Sequence, residues 1–261
     1  MDKTSDTSSN WRVKDQMGRE IDLPHTPQRI ISLVPSITEY LVDLGLGSRL
    51  VGRTKFCIHP EGKVKSIERI GGTKTFNFEK IDALQPDLII GNKEENYEEG
   101  INQLSSQYPV WMSDILNLEQ NFEMMVALGD ITGKREEAAS WIRRVRQNFA
   151  RYHRKYSGRV IYMIWQKPYM VAGRGTYINS ILEYLGYENV VLQKRYPEID
   201  EYILRKLQAD RVFLSSEPFP FKESHKEEFK TLFPGSLTQL VDGEAFSWYG
   251  SRLAKVDFEF G

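Results

Sequence analysis

The chain has 261 residues, of which 40% are hydrophobic and 27% charged, and its net charge is −1. This composition is typical of a globular protein with enough chain for a sizeable core, and it lacks the basic excess of a nucleic-acid-binding protein. No apolar run reaches the ~20 residues that a membrane helix needs, so we expect no direct membrane insertion. The single cysteine, Cys57, excludes an internal disulfide.

The N-terminal segment MDKTSDTSSN is polar and has no hydrophobic run of the kind found in secretory signals. Residues 1–10 are therefore predicted to be disordered. On this segment alone, the expected location is the cytoplasm.

The first half of the chain alternates predicted strands and helices. Residues 11–23 are predicted to form a hairpin around a turn at Gln16–Gly18. The S-x-x-E pattern at Ser36–Glu39 predicts a helix start, and that helix should end at Gly45. The other predicted elements are strands at 29–34, 49–52, 87–91 and 110–112 and helices at 78–84 and 97–107. This alternation predicts parallel α/β layering.

A long helix is predicted in the middle of the chain. No glycine or proline occurs from Lys134 to Tyr156. Apolar residues recur there every three or four positions, at Ala138, Trp141, Ile142, Val145, Phe149, Tyr152 and Tyr156. The pattern predicts one amphipathic helix of about 23 residues, roughly 35 Å long.

After this helix the alternation resumes. It predicts strands at 160–165, 211–216 and 238–241 and helices at 176–185, 200–208 and 222–230. The predicted fold is α/β, with two Rossmann-like lobes of parallel sheet and helices bridged by one long backbone helix. The predicted parts are an N-terminal lobe at 1–130, a bridging helix at 131–157 and a C-terminal lobe at 158–261.

Motifs of common enzyme classes are absent from the sequence. It contains no GxxxxGK[ST] phosphate loop, no GxSxG nucleophile turn and no HExxH or CxxC pair, and its four histidines are scattered. Hydrolase, kinase and metalloenzyme functions therefore receive little support, and we expect neither a catalytic site nor a dedicated metal site.

The segment KFCIHP places Cys57 and His59 two residues apart, so an extended backbone would point both side chains to the same side. One interpretation is a contact to a metal-centred ligand. The simpler alternative, which we prefer, is a buried thiol and a loop histidine.

Aromatic and polar residues also collect where predicted strands end. Ligands of open α/β sheets bind at the carboxyl ends of the strands, where aromatic rings supply apolar contact and arginine can bind a polar edge. Packing in the core is the alternative for the tryptophans. The candidate ligand-binding residues are Pro35, Ser36, Trp165, Trp248, Tyr249 and Arg252.

Several segments resemble one known family. RIISLVPSITEYLVDLG, VGRTKFCIHP and FNFEKIDALQPDLIIGN are similar to the N-terminal lobe of the cobalamin- and siderophore-type periplasmic binding proteins of ABC importers. IWQKPYMVAGRGTYINSILEYLGYENV and FSWYGSRL are similar to the C-terminal lobe. The resemblance covers about residues 27–255 and is strongest to the vitamin B12-binding branch.

This resemblance implies a ligand held between two lobes. Pro35 and Ser36 would line the N-lobe side of the site. The C-lobe side would be lined by Trp165, Trp248 and Arg252, together with Tyr249. The implied ligand is a chelated metal: a cobalamin-like corrinoid, or else haem or a ferric siderophore. No intrinsic cofactor is implied, and the implied location is the periplasm.

The resemblance also implies an ABC permease as partner, contacted by one surface glutamate of each lobe. The matching residues are Glu98 in the N-lobe and Glu217 in the C-lobe, with Glu223 as the alternative to Glu217. The sequence thus predicts a non-enzymatic substrate-binding component of an ABC importer. The rival hypothesis is an intracellular protein that binds a corrinoid or another metal chelate, or a cofactor enzyme, unconnected with transport.

Overall fold

The computed structural model describes residues 11–259, so the predicted disorder of residues 1–10 lies outside the described part of the chain. The chain divides into two compact units. Unit 1 comprises the described residues up to Ile115 together with Phe122–Ile142. Unit 2 comprises Leu116–Asn121 and the described residues from Arg143 onward. The three-part division predicted from the sequence stays a prediction.

Unit 1 is built on a parallel sheet. Its strands are β3 (Ile30–Ser32), β4 (Leu50–Arg53), β5 (Glu68–Arg69), β8 (Leu88–Asn92) and β9 (Val110–Ser113). Unit 1 also contains two short hairpins, which are β1 (Trp11–Lys14) with β2 (Glu20–Leu23) and β6 (Gly71–Gly72) with β7 (Thr75–Phe76). The order in the sheet is β5-β4-β3-β8-β9, with every pair parallel. Strands β3, β8 and β9 are buried along their whole length, as expected for apolar runs covered on both faces.

The helices of unit 1 follow its strands. They are α1 (Pro35–Asp43), α2 (Phe78–Leu84) and α3 (Glu98–Ser105). The predicted capping box at Ser36–Glu39 is wrong. The N-cap of α1 is Val34, which makes no side-chain cap, and the helix begins at Pro35, whose fixed φ suits the first helical position. Ser36 therefore lies within the first turn.

Two helices follow unit 1's sheet in the chain. They are α4 (Leu118–Thr132) and α5 (Arg135–Ala150). Helix α4, which contains Gly129, was not predicted from the sequence. A Cβ at position 129 would lie 2.5 Å from the Cβ of Ala138, so the glycine allows the two helices to approach closely.

The predicted helix at 134–156 is too long by more than a turn. Helix α5 ends at Ala150, and Arg154 has a left-handed φ of 50°. Beyond the helix, the amides of Arg154 and Tyr156 donate to the carbonyls of Tyr184 and Leu185. The apolar spacing continues past Ala150 because the following turn also packs in the core, which periodicity alone cannot distinguish from helix.

Unit 2 has a mixed sheet. Its strands are β10 (Arg159–Trp165), β11 (Met170–Val171), β12 (Glu188–Asn189), β13 (Arg211–Ser215) and β14 (Leu237–Val241). The order is β11-β10-β13-β14, with β12 also paired to β10. Strands β10, β13 and β14 run parallel, and β11 is antiparallel to β10. The three parallel strands place Trp165, Ser215 and Val241 at one edge of the sheet.

The helices of unit 2 are α6 (Tyr177–Leu185), α7 (Glu201–Leu204), α8 (Glu223–Leu232) and α9 (Gly243–Ser247). The helix predicted at 200–208 is reduced to the single turn α7. Phe229 and Leu232 of α8 pack with Val212 and Leu214 of β13 in one buried cluster. This core supports the strand ends that carry the predicted site.

Candidate ligand-binding site

In unit 1, the predicted residues Pro35 and Ser36 lie where β3 leads into α1. Both are buried, and Ser36 is 2% exposed. Among the described residues, the Ser36 hydroxyl has no hydrogen-bond partner. A helix N-terminus without a side-chain cap leaves backbone donors at this position. Ser36 therefore brings a buried hydroxyl, unpaired within residues 11–259, to the start of α1, and its contact with a ligand stays a prediction.

The loop after β4 is fixed by its cysteine. Cys57 is fully buried, and its Sγ lies 3.1 Å from Oγ1 of both Thr38 and Thr54. Burial raises the pKa of the Cys57 thiol, while the hydrogen bonds from the two threonines oppose this shift. Cys57 is therefore a packed thiol, in agreement with the simpler of the two sequence interpretations. His59 is half-buried.

Two apolar residues that the sequence analysis missed flank this cysteine. Phe56 is 50% exposed and Ile58 is 54% exposed. Cys57 is buried within a turn in which its amide donates to the Thr54 carbonyl, and the side chains on either side of it reach the surface. Both follow the carboxyl end of β4, which makes them accessible apolar groups at the sheet edge where ligands of such folds bind. The sequence gives little signal for this exposure, because Phe56, Cys57 and Ile58 are all apolar.

In unit 2, Trp165 is the accessible aromatic residue among those predicted. It is the last residue of β10 and is 38% exposed. Its ring meets the ring of Phe219 edge-on, with centroids 5.5 Å apart. Phe219 lies in the loop after β13 and is half-buried. The two rings form an aromatic corner at the carboxyl edge of the sheet, and Phe219 was not predicted.

Trp248 and Tyr249 are much less accessible than the sequence analysis assumed. Trp248 is 8% exposed, and its Nε1 donates to Oε1 of Glu217 at 3.0 Å. Tyr249 is 4% exposed and packs edge-on against Tyr177 at 5.9 Å. Most of the Trp248 side chain is therefore packed in the core, which is the alternative considered for the tryptophans. Direct ligand contact by either residue stays a prediction.

Arg252 lies in the 3-10 turn Gly250–Ala254, and its charge is paired within unit 2. Its guanidinium donates to Glu244 Oε2 at 2.8 Å and stacks over the Trp248 ring at 4.6 Å from the centroid. The side chains of Arg252 and Glu244 are 17% and 21% exposed. A ligand that meets Arg252 therefore also meets the Glu244 carboxylate.

Glu217 is not the freely exposed carboxylate that its predicted docking role assumed. It is half-buried, and its Oε1 accepts hydrogen bonds from Ser247 Oγ at 2.6 Å and Trp248 Nε1 at 3.0 Å. Burial raises the pKa of Glu217, and the two hydrogen bonds only partly oppose this. The alternative, Glu223, is exposed at the start of α8, and Glu98 is exposed at the start of α3.

The described residues offer neither a cluster of metal ligands nor a membrane-spanning helix. Within residues 11–259, no three His, Cys, Asp or Glu side chains gather as a metal site would require. Over the same range, no helix has the length and hydrophobicity to cross a lipid bilayer.

Known proteins similar to this chain share its fold. It is 28% identical over 175 residues to the vitamin B12-binding protein of Yersinia pestis strain Pestoides F, an alignment that covers 65% of this chain and 62% of that relative's length. The crystal structure of the periplasmic vitamin B12-binding protein BtuF of Vibrio cholerae superposes with a TM-score of 0.76 at 20% identity, covering 88% of this chain and 93% of BtuF.

A periplasmic haem-binding protein of Pseudomonas aeruginosa gives a TM-score of 0.73 at 24% identity, covering 87% of this chain and 89% of that chain. These likenesses confirm the predicted fold class, that of the class III periplasmic binding proteins. The model of the family described as "periplasmic binding protein" matches residues 30–232. With most of its length matched by that model, this chain belongs to the periplasmic binding protein family.

Proposed function

We propose that this protein is the substrate-binding component of an ABC importer and that it captures a metal chelate and delivers it to a permease. The observation that carries the proposal is the family match over residues 30–232. The ligands named for its relatives, vitamin B12 and haem, support a large planar chelate as cargo. A cobalamin-like corrinoid is the first candidate, and haem or a ferric siderophore is the alternative.

The accessible apolar groups support a planar ligand. Trp165 in unit 2 is the last residue of β10, and Phe219 follows the carboxyl end of β13. In unit 1, Phe56 and Ile58 follow the carboxyl end of β4. Large apolar contact with a few polar groups is the usual composition of small-molecule sites. We propose these four residues as ligand contacts, in addition to those predicted from the sequence.

We further propose that the protein performs no covalent chemistry and that the metal enters inside its chelate. The polar contributions come from Ser36 in unit 1 and from the Trp248–Arg252 segment in unit 2. The family relationship supports a periplasmic location. The rival hypothesis of an intracellular chelate-binding protein makes a different genomic prediction: it expects no permease and ATPase genes beside this one.

Permease docking is proposed for exposed carboxylates that open helices. Glu98 opens α3, and Glu201 opens α7. Glu201 is followed by Tyr202 and Ile203, which are 67% and 48% exposed. Exposed apolar residues beside a carboxylate are typical of a protein-contact surface. Glu201 therefore joins Glu223 as a candidate in unit 2. Both pair with cations of their own helical segments, Glu201 with Arg205 and Glu223 with Lys226, but both are exposed, whereas the half-buried carboxylate of Glu217 is a weaker candidate.

The experiment is ATPase stimulation of the neighbouring permease–ATPase complex in proteoliposomes by the ligand-loaded protein. We expect stimulation by the wild type and its loss in Glu98→Ala and in Glu201→Ala or Glu223→Ala. Glu61→Ala, which changes an exposed carboxylate of unit 1, serves as the control. Absence of stimulation by a protein that binds its ligand would refute the transport role.

A further inference from the structure

Two carboxylates hold the polar groups of the C-terminal segment in unit 2. Glu244, on α9, binds the Arg252 guanidinium at 2.8 Å. Glu217, which follows β13, accepts the indole N–H of Trp248 at 3.0 Å. The guanidinium also lies over the Trp248 ring. The segment is therefore fixed by contacts within unit 2 before any ligand arrives.

Several charged side chains follow the parallel strands at this edge of the sheet. Asp242, which follows β14, is exposed and caps α9 by accepting the Glu244 amide at 3.0 Å. Glu217, Asp242 and Glu244 lie close enough together that, besides burial, the charges of Glu244 and Asp242 raise the pKa of Glu217, and Glu244 pairs with Arg252. Exposed cations also follow the parallel strands, with Lys167 two positions after β10 and Lys222 seven positions after β13.

We propose that Glu244 sets the charge class of the ligand by holding Arg252 in its ion pair. This inference rests on the proposed function and deepens it. With Arg252 paired, unit 2 offers carboxylate oxygens, which accept hydrogen bonds from the amide N–H groups of a ligand. A ligand that presents carboxylates instead meets like charge. Unit 2 therefore selects an amide-bearing chelate, such as a corrinoid with its side-chain amides, over a carboxylate-bearing one.

A purely structural role for the Glu244–Arg252 pair makes a different prediction. If the pair only braces the turn at Gly250–Ala254, breaking it weakens binding of every ligand by the same factor. If it sets the charge class, breaking it changes the ratio of affinities for two ligands that differ only in charge. The ratio is therefore the decisive quantity.

The experiment is isothermal titration calorimetry with cyanocobalamin and with its monocarboxylate hydrolysis products, which keep the macrocycle and exchange one amide for a carboxylate. We expect the wild type to prefer the amide form by at least ~10-fold, which is about 1.4 kcal/mol. In Glu244→Gln the preference should fall towards unity through tighter binding of the carboxylate form. Glu227→Gln, which changes an exposed carboxylate of α8 that pairs with Lys230, is the matched control and should keep the wild-type ratio.

A second variant protects the test against misfolding of Glu244→Gln. Arg252→Gln removes the cation and leaves the carboxylate, so we expect a wider preference for the amide form. That widening should include tighter binding of the amide form by the released Glu244 carboxylate. If Arg252 instead anchors an anionic ligand edge, the amide form binds as it does to the wild type and only the carboxylate form weakens.

Three results would overturn the inference. The first is equal binding of both corrinoid forms by the wild type, and the second is an equal loss for both in Glu244→Gln. The third is tight haem binding, with its two propionates, by a wild type that does not bind the corrinoid amide; the proposed function would then stand without this inference. No binding of any chelate would remove the proposed function and the inference together.

Discussion

The accessible Trp165 and the buried Trp248 should respond in opposite ways to truncation. A tryptophan side chain buries up to ~250 Å². The 38% exposed fraction of Trp165 then leaves ~95 Å² for a ligand, worth ~2 kcal/mol of binding at ~25 cal/mol per Å². The 8% exposed fraction of Trp248 leaves ~20 Å², worth ~0.5 kcal/mol.

The costs to folding reverse this order. Truncation of a buried tryptophan typically costs ~3–5 kcal/mol, and Trp248→Ala also removes the hydrogen bond to Glu217 and the stacking of Arg252. Trp165→Ala removes a ring that is more than one third exposed, so its effect on the free energy of unfolding should be smaller. We expect Trp165→Ala to weaken ligand binding about 10- to 30-fold, with a modest loss of stability.

The assay combines calorimetric titration of the ligand with urea unfolding of each variant. Trp11→Ala is the matched control, because Trp11 is 37% exposed but lies on the β1–β2 hairpin of unit 1, outside the proposed site. It should leave binding unchanged. Wild-type affinity in a folded Trp165→Ala variant would refute the assignment of this ring to the ligand site. A Trp248→Ala variant of wild-type stability would refute the structural role of Trp248.

Two further predictions concern stability. A carboxyl whose pKa is raised in the folded state stabilises most at low pH and loses that contribution as pH rises through its folded pKa. Burial raises the pKa of Glu217. Glu217→Gln should therefore match the wild type near pH 4 and be more stable than the wild type at pH 7. Urea unfolding at both pH values checks this, and a stability difference independent of pH would contradict it. Asn148→Ala should lower the free energy of unfolding by ~1–3 kcal/mol, because Asn148 Nδ2 donates to the carbonyls of Leu253 and Val256 at 2.9 Å each. Arg146→Ala, an exposed neighbour on α5, is the control, and equal unfolding midpoints for the two variants would contradict the anchoring role.

Much of the fold could be predicted from the sequence because local patterns decide it. The buried runs at 87–91 and 211–216 are strands β8 and β13 with nearly the predicted bounds. The start of α1 was misplaced because proline at the first helical position replaces a side-chain cap. Helix α4 was missed because its glycine, Gly129, serves close packing against another helix, which no local pattern reveals.

The site could be predicted only in part. The position of Trp165 follows from the end of its strand, which periodicity locates. The burial of Trp248 depends on Glu217, 31 residues away in the chain, and a single sequence does not show that contact. The exposure of Phe56 and Ile58 likewise depends on the contact that holds Cys57 against Thr38 in α1. Tertiary contacts of this kind decide which aromatic residues a ligand can reach.

The central claim is that this protein binds a metal chelate reversibly and without chemistry. The most direct test is calorimetric titration of the purified protein with cyanocobalamin, haem and ferric siderophores, followed by recovery of the ligand for mass analysis. We expect saturable one-to-one binding of one chelate, which is recovered unchanged. The account would be contradicted if the folded protein bound none of these chelates, or if it returned a chemically altered ligand.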